Sequence, residues 1–364
     1  MPAGLILGID TSNYTTSLCA LSAEDGTLLA DVRRVLPVAE GERGLRQSDA
    51  LFFHIQRLPS LMDELVRQLR GRGCTKWRWC AVGASVRPRP FGRSYMPVFT
   101  AGVSFGWSLA RAAGLVFIPT SHQEGHLAAA EYFLHGPGSR VEAAREQVEA
   151  PHAFSAFGGH PALDASSSHG TRGSSDTPFL AVHLSGGTSD VLYAERTRWG
   201  YRIEMVGEGA DLHAGQFVDR VGVALGLPFP AGPALERLAA EAAGDGLTFP
   251  VRVDGARMSF SGPCSAALRA IDGGAPAAEV ARGVERAIAN AVAKAVAYAY
   301  RQRPAPRCIV AGGVASNRYV RDRIERRLAK ACPGLAVAFA PARYASDNAV
   351  GVAYIAWRGL SVLF

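Results

Sequence analysis

The short apolar run Leu5–Ile9 meets the polar turn Asp10-Thr11-Ser12-Asn13-Tyr14-Thr15-Thr16. A second apolar stretch, Ser17–Leu21, leads through Ser22-Ala23-Glu24-Asp25-Gly26 into Thr27–Val32. Short apolar runs bounded by hydroxyl- and glycine-rich turns predict three successive strands. About 175 residues later the same pattern returns: Phe179–Leu184, the turn Ser185-Gly186-Gly187-Thr188-Ser189-Asp190, Val191–Glu195, a polar turn, and Tyr201–Val206. Two similar strand meanders, each followed by helical sequence, predict two related α/β lobes with a cleft between them.

Helical spacing fills the intervals. Ser48–Leu69 repeats apolar residues at Leu51, Ile55, Leu58, Leu61, Leu65 and Leu69, close to the 3.6 period. Phe99–Ala113 reads as a buried helix of small residues, Ala277–Tyr300 as a continuous helix, and Tyr319–Ala331 as a basic amphipathic one. After Pro306-Arg307, Cys308–Ala311 is a short core strand that ends at Gly312-Gly313. Gly136–Thr177 fits neither lobe. It is rich in Gly, Ser, Ala, Pro and His, lacks sustained periodicity after Ala150, and reads as an inserted loop.

Composition narrows the class. A chain of 364 residues, 48% hydrophobic and 20% charged, is long enough for about two domains and apolar enough to bury real cores. Disorder, collagen-like fibre and a disulfide-stapled scaffold are excluded. Lys plus Arg is 39 and Asp plus Glu is 32, a net charge of 39 − 32 = +7, which permits a polyanionic partner without requiring one. The six cysteines form no Cys-x-x-Cys pair and read as reduced thiols of an intracellular protein. Met1–Asp10 lacks a basic leader, and Val98–Leu109 is too short for a bilayer span and is followed by Arg111. The expectation is a soluble cytoplasmic protein with no membrane contact.

Five segments carry candidate chemistry, each beside a plainer reading. In Ser121-His122-Gln123-Glu124-Gly125-His126 the two histidines stand one helical turn apart, within reach of one metal ion or simply paired on a helix surface. Gln123 occupies the position that a zinc protease fills with glutamate, which argues against that chemistry. The glycine turns Ser185-Gly186-Gly187-Thr188 and Gly312-Gly313-Val314-Ala315-Ser316-Asn317 could bring backbone N–H groups to a phosphate, or could be tight strand ends. There is no Gly-Lys-[Ser/Thr] phosphate loop. Asp219 could hydrogen-bond a ribose or amine, or sit at the surface beside Arg220. Asp347, in Ser346-Asp347-Asn348, is a natural helix cap or a carboxylate ligand. Between Arg67 and Tyr95, eight basic residues and no acidic one interleave with Trp77, Trp79, Phe91 and Tyr95, a mixture suited to unpaired nucleic acid or to a solvated face. The basic residues of Arg318–Lys330 form a second, more diluted cluster.

Leu7–Ser12, His122–His126, Leu184–Gly187, Gly207-Glu208 through Asp219, Pro230–Pro233, Gly312–Asn317 and Ser346–Asn348 occur in one order. That order and spacing resemble the transferase subunit of tRNA threonylcarbamoyladenosine synthase, formerly labelled O-sialoglycoprotein endopeptidase. The resemblance covers nearly the whole chain apart from the inserted loop. It implies an α/β, actin-like and sugar-kinase-like (ASKHA) fold of two ribonuclease-H-like lobes around a central cleft. The first lobe would span 1–120, with the helix 348–364 packed back on it, and the second 121–347, carrying the loop 136–177. It further implies one iron or zinc ion on His122, His126 and Asp347. His183, Leu184, Ser185, Gly186, Gly187, Asp219, Gly232 and Asn317 would hold threonylcarbamoyl-AMP, whose adenine nucleotide is a substrate moiety. The acceptor would be an adenosine in the anticodon loop of tRNA, with Asp10 a polar organiser of catalysis. Sister subunits, a paralogous actin-like protein and a small ATPase, would be partners.

The chain departs from that family's pattern around the cleft. Asn13-Tyr14-Thr15 replaces an acidic pair, Thr188 a histidine, Ser261-Gly262-Pro263-Cys264 a Ser-Gly-x-Lys signature, and Arg87–Arg93 a Gly-Pro-Gly turn. Two further readings therefore stand beside the transferase: a small-molecule carbamoyltransferase or kinase, and a non-catalytic subunit of the modification complex.

Overall fold

The computed structural model describes residues 3–12, 14–38, 45–92, 94–139 and 177–361. The first sheet comprises β1 (Ala3–Thr11), β2 (Thr15–Ser22), β3 (Leu28–Val35), β4 (Trp77–Arg87) and β5 (Val116–Ser121) in the order β3-β2-β1-β4-β5. The meander is antiparallel, and β4 and β5 join parallel. The second sheet contains β6 (Phe179–Leu184), β7 (Ser189–Thr197), β8 (Gly200–Gly207), β11 (Arg307–Ala311) and β12 (Ala336–Phe339), in the order β12-β11-β6-β7-β8. Its meander is again antiparallel, with two parallel strands added beside the first. Both sheets thus run 3-2-1-4-5, so the sequence repeat is a repeat of topology. A small hairpin, β9 (Arg252–Asp254) and β10 (Arg257–Ser259), stands apart.

The helices are α1 (Gln47–Gly71), α2 (Phe99–Ala112), α3 (His122–His135), α4 (Ala214–Ala224), α5 (Gly232–Ala239), α6 (Ser261–Asp272), α7 (Ala277–Gln302), α8 (Arg318–Ala331), α9 (Ala342–Ala345) and α10 (Val350–Ser361). A 3₁₀ turn, Gly313–Ser316, precedes α8. Most of the inserted loop expected at 136–177 lies outside the described residues, as do Asn13, Arg93 and the last residues of the expected C-terminal helix.

Strand parity explains why β1 and β6 read as continuous apolar runs. Leu5, Leu7 and Ile9 pack with Leu58, Leu61, Leu65 and Leu69 of α1, whereas Ile6 points to the opposite core with Ala349, Ala353 and Ala356 around α10. In the second sheet Leu180, Val182 and Leu184 face α4 and α7, while Phe179 and Ala181 face the core that contains α3 and α10. A sheet covered on both faces has no polar side, so alternation disappears. α10 approaches β1 so closely that a Cβ on Gly8 would lie 2.5 Å from the Ala349 carbonyl oxygen. The same parity turns Asp10 and His183, one place before the ends of equivalent strands, toward the helix that separates the two sheets.

Candidate metal centre and nucleotide pocket

That helix is α3, and its start is fixed by a reciprocal cap. Ser121 Oγ accepts from Glu124 N at 3.2 Å while Glu124 Oε2 accepts from Ser121 N at 2.9 Å. Glu124 Oε1 also accepts from Tyr201 N at 3.1 Å, so this carboxylate is committed to structure. His122 becomes the first helical residue, with His126 one turn later on the same face.

Two segments, Asp10–Ser12 and Asp347, converge on the imidazoles. Asp10 is 1% exposed, and its Oδ1 lies 3.0 Å from His122 Nδ1, which donates to it. His122 Nε2 is therefore the atom turned inward, 3.1 Å from His126 Nε2. Asp347 Oδ1 lies 3.5 Å from His122 Nε2 and 3.4 Å from His126 Nε2. Its Oδ2 accepts from Ser12 Oγ at 2.7 Å. His54 secures that serine from behind: its Nε2 donates to Ser12 O at 2.7 Å, and its Nδ1 accepts from Thr16 Oγ1 at 2.8 Å. Burial lowers the His54 pKa, consistent with the neutral ring this pairing requires.

The three inward atoms fit a metal ion. Bonds of about 2.1 Å subtending 90–109° separate neighbouring donors by about 3.0–3.4 Å, close to the 3.1, 3.4 and 3.5 Å found. Two imidazoles and one carboxylate suit zinc or iron. Asp10 fixes the His122 tautomer as an outer partner of a ligand should. Without an ion, a proton takes the cationic role. Burial opposes charge on His122, but Asp10 and Asp347 outweigh it and push its pKa up to about 10. Burial and the His122 charge lower His126. Burial would raise Asp347, yet its hydrogen bonds to both histidines hold it well below the usual carboxylate range. Asp347 is not the helix cap, since Asn348 Oδ1 accepts from Val350 N at 3.0 Å.

Two cavities meet at this cluster. The larger, about 500 Å³, is lined by Ser185, Gly186, Asp219, Gly232, Asn317 and Asp347 among others. Next to its lining residue Gly313, Gly312 has φ +101°, and a Cβ there would lie 2.2 Å from Leu184 O. Asp219 Oδ1 accepts from Ala231 N at 2.8 Å, and burial raises its pKa. Asn317 caps α8 by accepting from Val320 N at 2.9 Å, and its amide donates to Glu285 Oε1 at 2.6 Å. Glu285 lines the same cavity, and burial outweighs its bonds to Asn317 and Arg282, pushing its pKa up to about 7. The smaller cavity, about 350 Å³, contains His122, His183, Ser185, Gly186, Gly187 and Asp347 together with Arg89 and Tyr95.

The residues assigned to substrate thus divide. Ser185, Gly186, Asp219, Gly232 and Asn317 share the larger cavity, and His183 and Gly187 line the smaller. Leu184 is fully buried in the second-lobe core, so its side chain faces neither. Ser12 and Glu285 carried no assignment from sequence, and Arg89 figured only in the basic aromatic stretch and in the Arg87–Arg93 departure. Ser12 stood in the quoted Asp-Thr-Ser turn, but the other two are distant polar residues brought in by helix α7 and a long loop. The basic stretch is not one surface: Trp77 and Trp79 pack against the first-lobe core, and Arg89 pairs with Asp190 at 3.2 Å and Glu208 at 2.7 Å. Among the described residues no helix is long and apolar enough to cross a membrane.

Comparison with known proteins points the same way. A profile of the TsaD family, described as tRNA N6-adenosine threonylcarbamoyltransferase, matches residues 162–354. A Thermus thermophilus protein of that name is 30% identical over 362 residues, 98% of this chain and 93% of the relative. Its Prochlorococcus marinus (strain MIT 9313) namesake is 27% identical, over 98% and 90%. Among solved structures, HypF of T. kodakarensis superposes with a TM-score of 0.54 at 14% identity, over 99% of this chain and 48% of HypF. That likeness concerns the fold alone, and it agrees with the actin-like, sugar-kinase-like architecture of two equivalent lobes.

Proposed function

The chain belongs to the tRNA N6-adenosine threonylcarbamoyltransferase family, and we propose that it transfers threonylcarbamoyl from threonylcarbamoyl-AMP to an anticodon-loop adenosine of tRNA. The observation that carries this reading is the meeting of two cavities at a three-donor cluster of His122, His126 and Asp347. One cavity takes the donor nucleotide, and the other leaves the reaction centre open to an acceptor.

An iron or zinc ion held by His122, His126 and Asp347 would supply Lewis acidity to the carbonyl or the threonyl carboxylate. The residues around it set orientation. Asp10 keeps His122 Nδ1 protonated and Nε2 inward, and Ser12 fixes the free oxygen of Asp347. Asp219 has one oxygen committed to Ala231 N, leaving the other to accept a ribose hydroxyl. The Ser185–Gly186 turn borders the donor cavity with little side-chain bulk, so its backbone can approach the phosphate. In the reaction the adenosine N6 forms a bond to the carbamoyl carbon. The carbon–oxygen bond to phosphate breaks with its electron pair leaving on AMP, and the surplus amine proton passes to the released phosphate.

We further infer that residues 1–120 and 121–347 work as two lobes, that the protein acts in the cytoplasm, and that sister subunits assist turnover. The test is reconstitution with a threonylcarbamoyl-AMP source, unmodified tRNA and partner proteins from the same organism, followed by nucleoside analysis. Threonylcarbamoyladenosine is the expected product, and unchanged adenosine with active partners contradicts the reading.

A further inference from the structure

We propose that the groove between α7 and α8, on the outside of the second lobe, docks the phosphate backbone of tRNA away from the reaction centre, a role that rests on the transfer reading above. The groove encloses about 180 Å³ and is lined by Ala293, Ala297 and Ala331 together with Lys294, Arg301 and Arg327, with no acidic residue among them. Helical spacing builds it. Lys294 and Arg301 fall at i and i+7 on α7, and Arg323, Arg327 and Lys330 fall at i, i+4 and i+7 on α8, so each set shares one face. Arg323 Nε donates to Asn290 Oδ1 at 3.0 Å, which sets the two faces side by side just before the groove. The acidic residues of α8, Asp322 and Glu325, lie about 140° and 160° around the helix from Arg327 and do not neutralise it.

The charge in this groove is uncompensated. Arg323 is spent on Asp245 at 3.3 Å, whereas among the described residues no hydrogen bond or ion pair reaches the side chains of Lys294, Arg301, Arg327 or Lys330. All four are exposed. Four cations flanking one slot repel one another, and a polyanion relieves that repulsion. Lys294 and Arg301 stand about 10 Å apart along α7, a span longer than one phosphate group. The alanines between them keep the slot open to an oxyanion. Alanine and cations supply none of the large apolar anchors on which protein interfaces depend, while phosphate contacts need only charge. The same two helices border the donor cavity, through Glu285 and Ile288 of α7 and Asn317 and Val320 of α8. Ten residues separate Asn317 from Arg327, about 15 Å along the axis. An RNA with its reacting base at the His122–Asp347 cluster thus finds the groove within reach of its neighbouring backbone.

The test uses the full-length chain and unmodified tRNA, with binding followed by fluorescence anisotropy over a series of salt concentrations. Lys294→Ala combined with Arg327→Ala is compared with Arg67→Ala combined with Arg269→Ala, which removes the same charge from exposed positions outside the groove. The groove variant is expected to bind tRNA about ten-fold more weakly and to lower the salt slope by about 2, with AMP affinity and metal content kept. The control pair is expected to bind as the wild type does. So is Lys294→Arg combined with Arg327→Lys, because charge is what the backbone reads. Wild-type affinity and slope in the groove variant overturn the proposal, as does an equal loss in the control pair, which marks a general effect of net charge. Loss of a sister subunit with tRNA binding intact assigns the groove to a protein and overturns it as well. Binding is read without turnover, so a chain that holds tRNA through the groove yet makes no modified nucleoside contradicts the transfer reading and leaves the docking surface standing.

Discussion

The β1–β2 turn of the first lobe and the β6–β7 turn of the second occupy equivalent positions in sheets of the same order, yet they do opposite work. Asp10, Thr11 and Ser12 are buried to within 2% exposure, and their side chains are spent on His122, the α2 backbone and Asp347. Ser185-Gly186-Gly187 is open to the cleft and offers mainly backbone. The first turn buries its side chains against His122 and Asp347, and the second leaves its backbone open to the two cavities.

If the first turn serves the metal and the second the nucleotide, substitutions should separate the two functions. The largest effect belongs to Asp347→Ala, which removes one of three donors. Metal affinity should fall by more than about 100-fold and modified nucleoside should drop to background, measured by metal analysis and nucleoside chromatography. Asp10→Asn comes next, lowering metal affinity by about 10- to 100-fold through loss of the His122 orientation, with AMP affinity unchanged by calorimetry.

Acidity probes the same centre. Because the His122 pKa stands at about 10 without an ion, metal entry releases a proton, and apparent metal affinity should rise about ten-fold per pH unit from about 6.5 toward 10. The linked stability has a definite sign. A folded-state pKa raised above 6.5 stabilises the ion-free protein fully below pH 6.5, and that contribution is lost as pH rises through about 10. Thermal melts of the metal-free chain should show this decline, and saturating metal should remove it.

On the second turn's side, Asp219→Ala should weaken AMP about ten-fold and leave metal content intact. The smallest effect is Ser12→Ala, which deletes one hydrogen bond to Asp347 and should cost about 1 kcal/mol of metal binding, a several-fold change in a competition titration.

Much of this was legible in the residues alone. The two meanders, α1, α2, α7, α8 and the β11 strand follow from apolar spacing because each buries a continuous stripe. The histidine pair was legible as geometry, since residues one turn apart share a face. What spacing could not reveal was that residue 347 joins them. That meeting depends on α10 docking against Gly8 after the whole second lobe has been threaded, and only the resemblance of ordered motifs supplied it. In the aromatic-basic stretch, Trp77 and Trp79 pack against the first-lobe core, which composition alone does not distinguish from an open face. Leu184 travelled with its motif but faces the interior.

X-ray absorption on the metal-loaded wild-type chain and on Asp347→Ala tests the central claim most directly. One ion per wild-type chain, with two imidazole nitrogens and a carboxylate oxygen that disappears in the variant, is the result expected. An ion whose coordination and stoichiometry are the same in both proteins, or a wild-type chain that binds none at saturating iron or zinc, would contradict it.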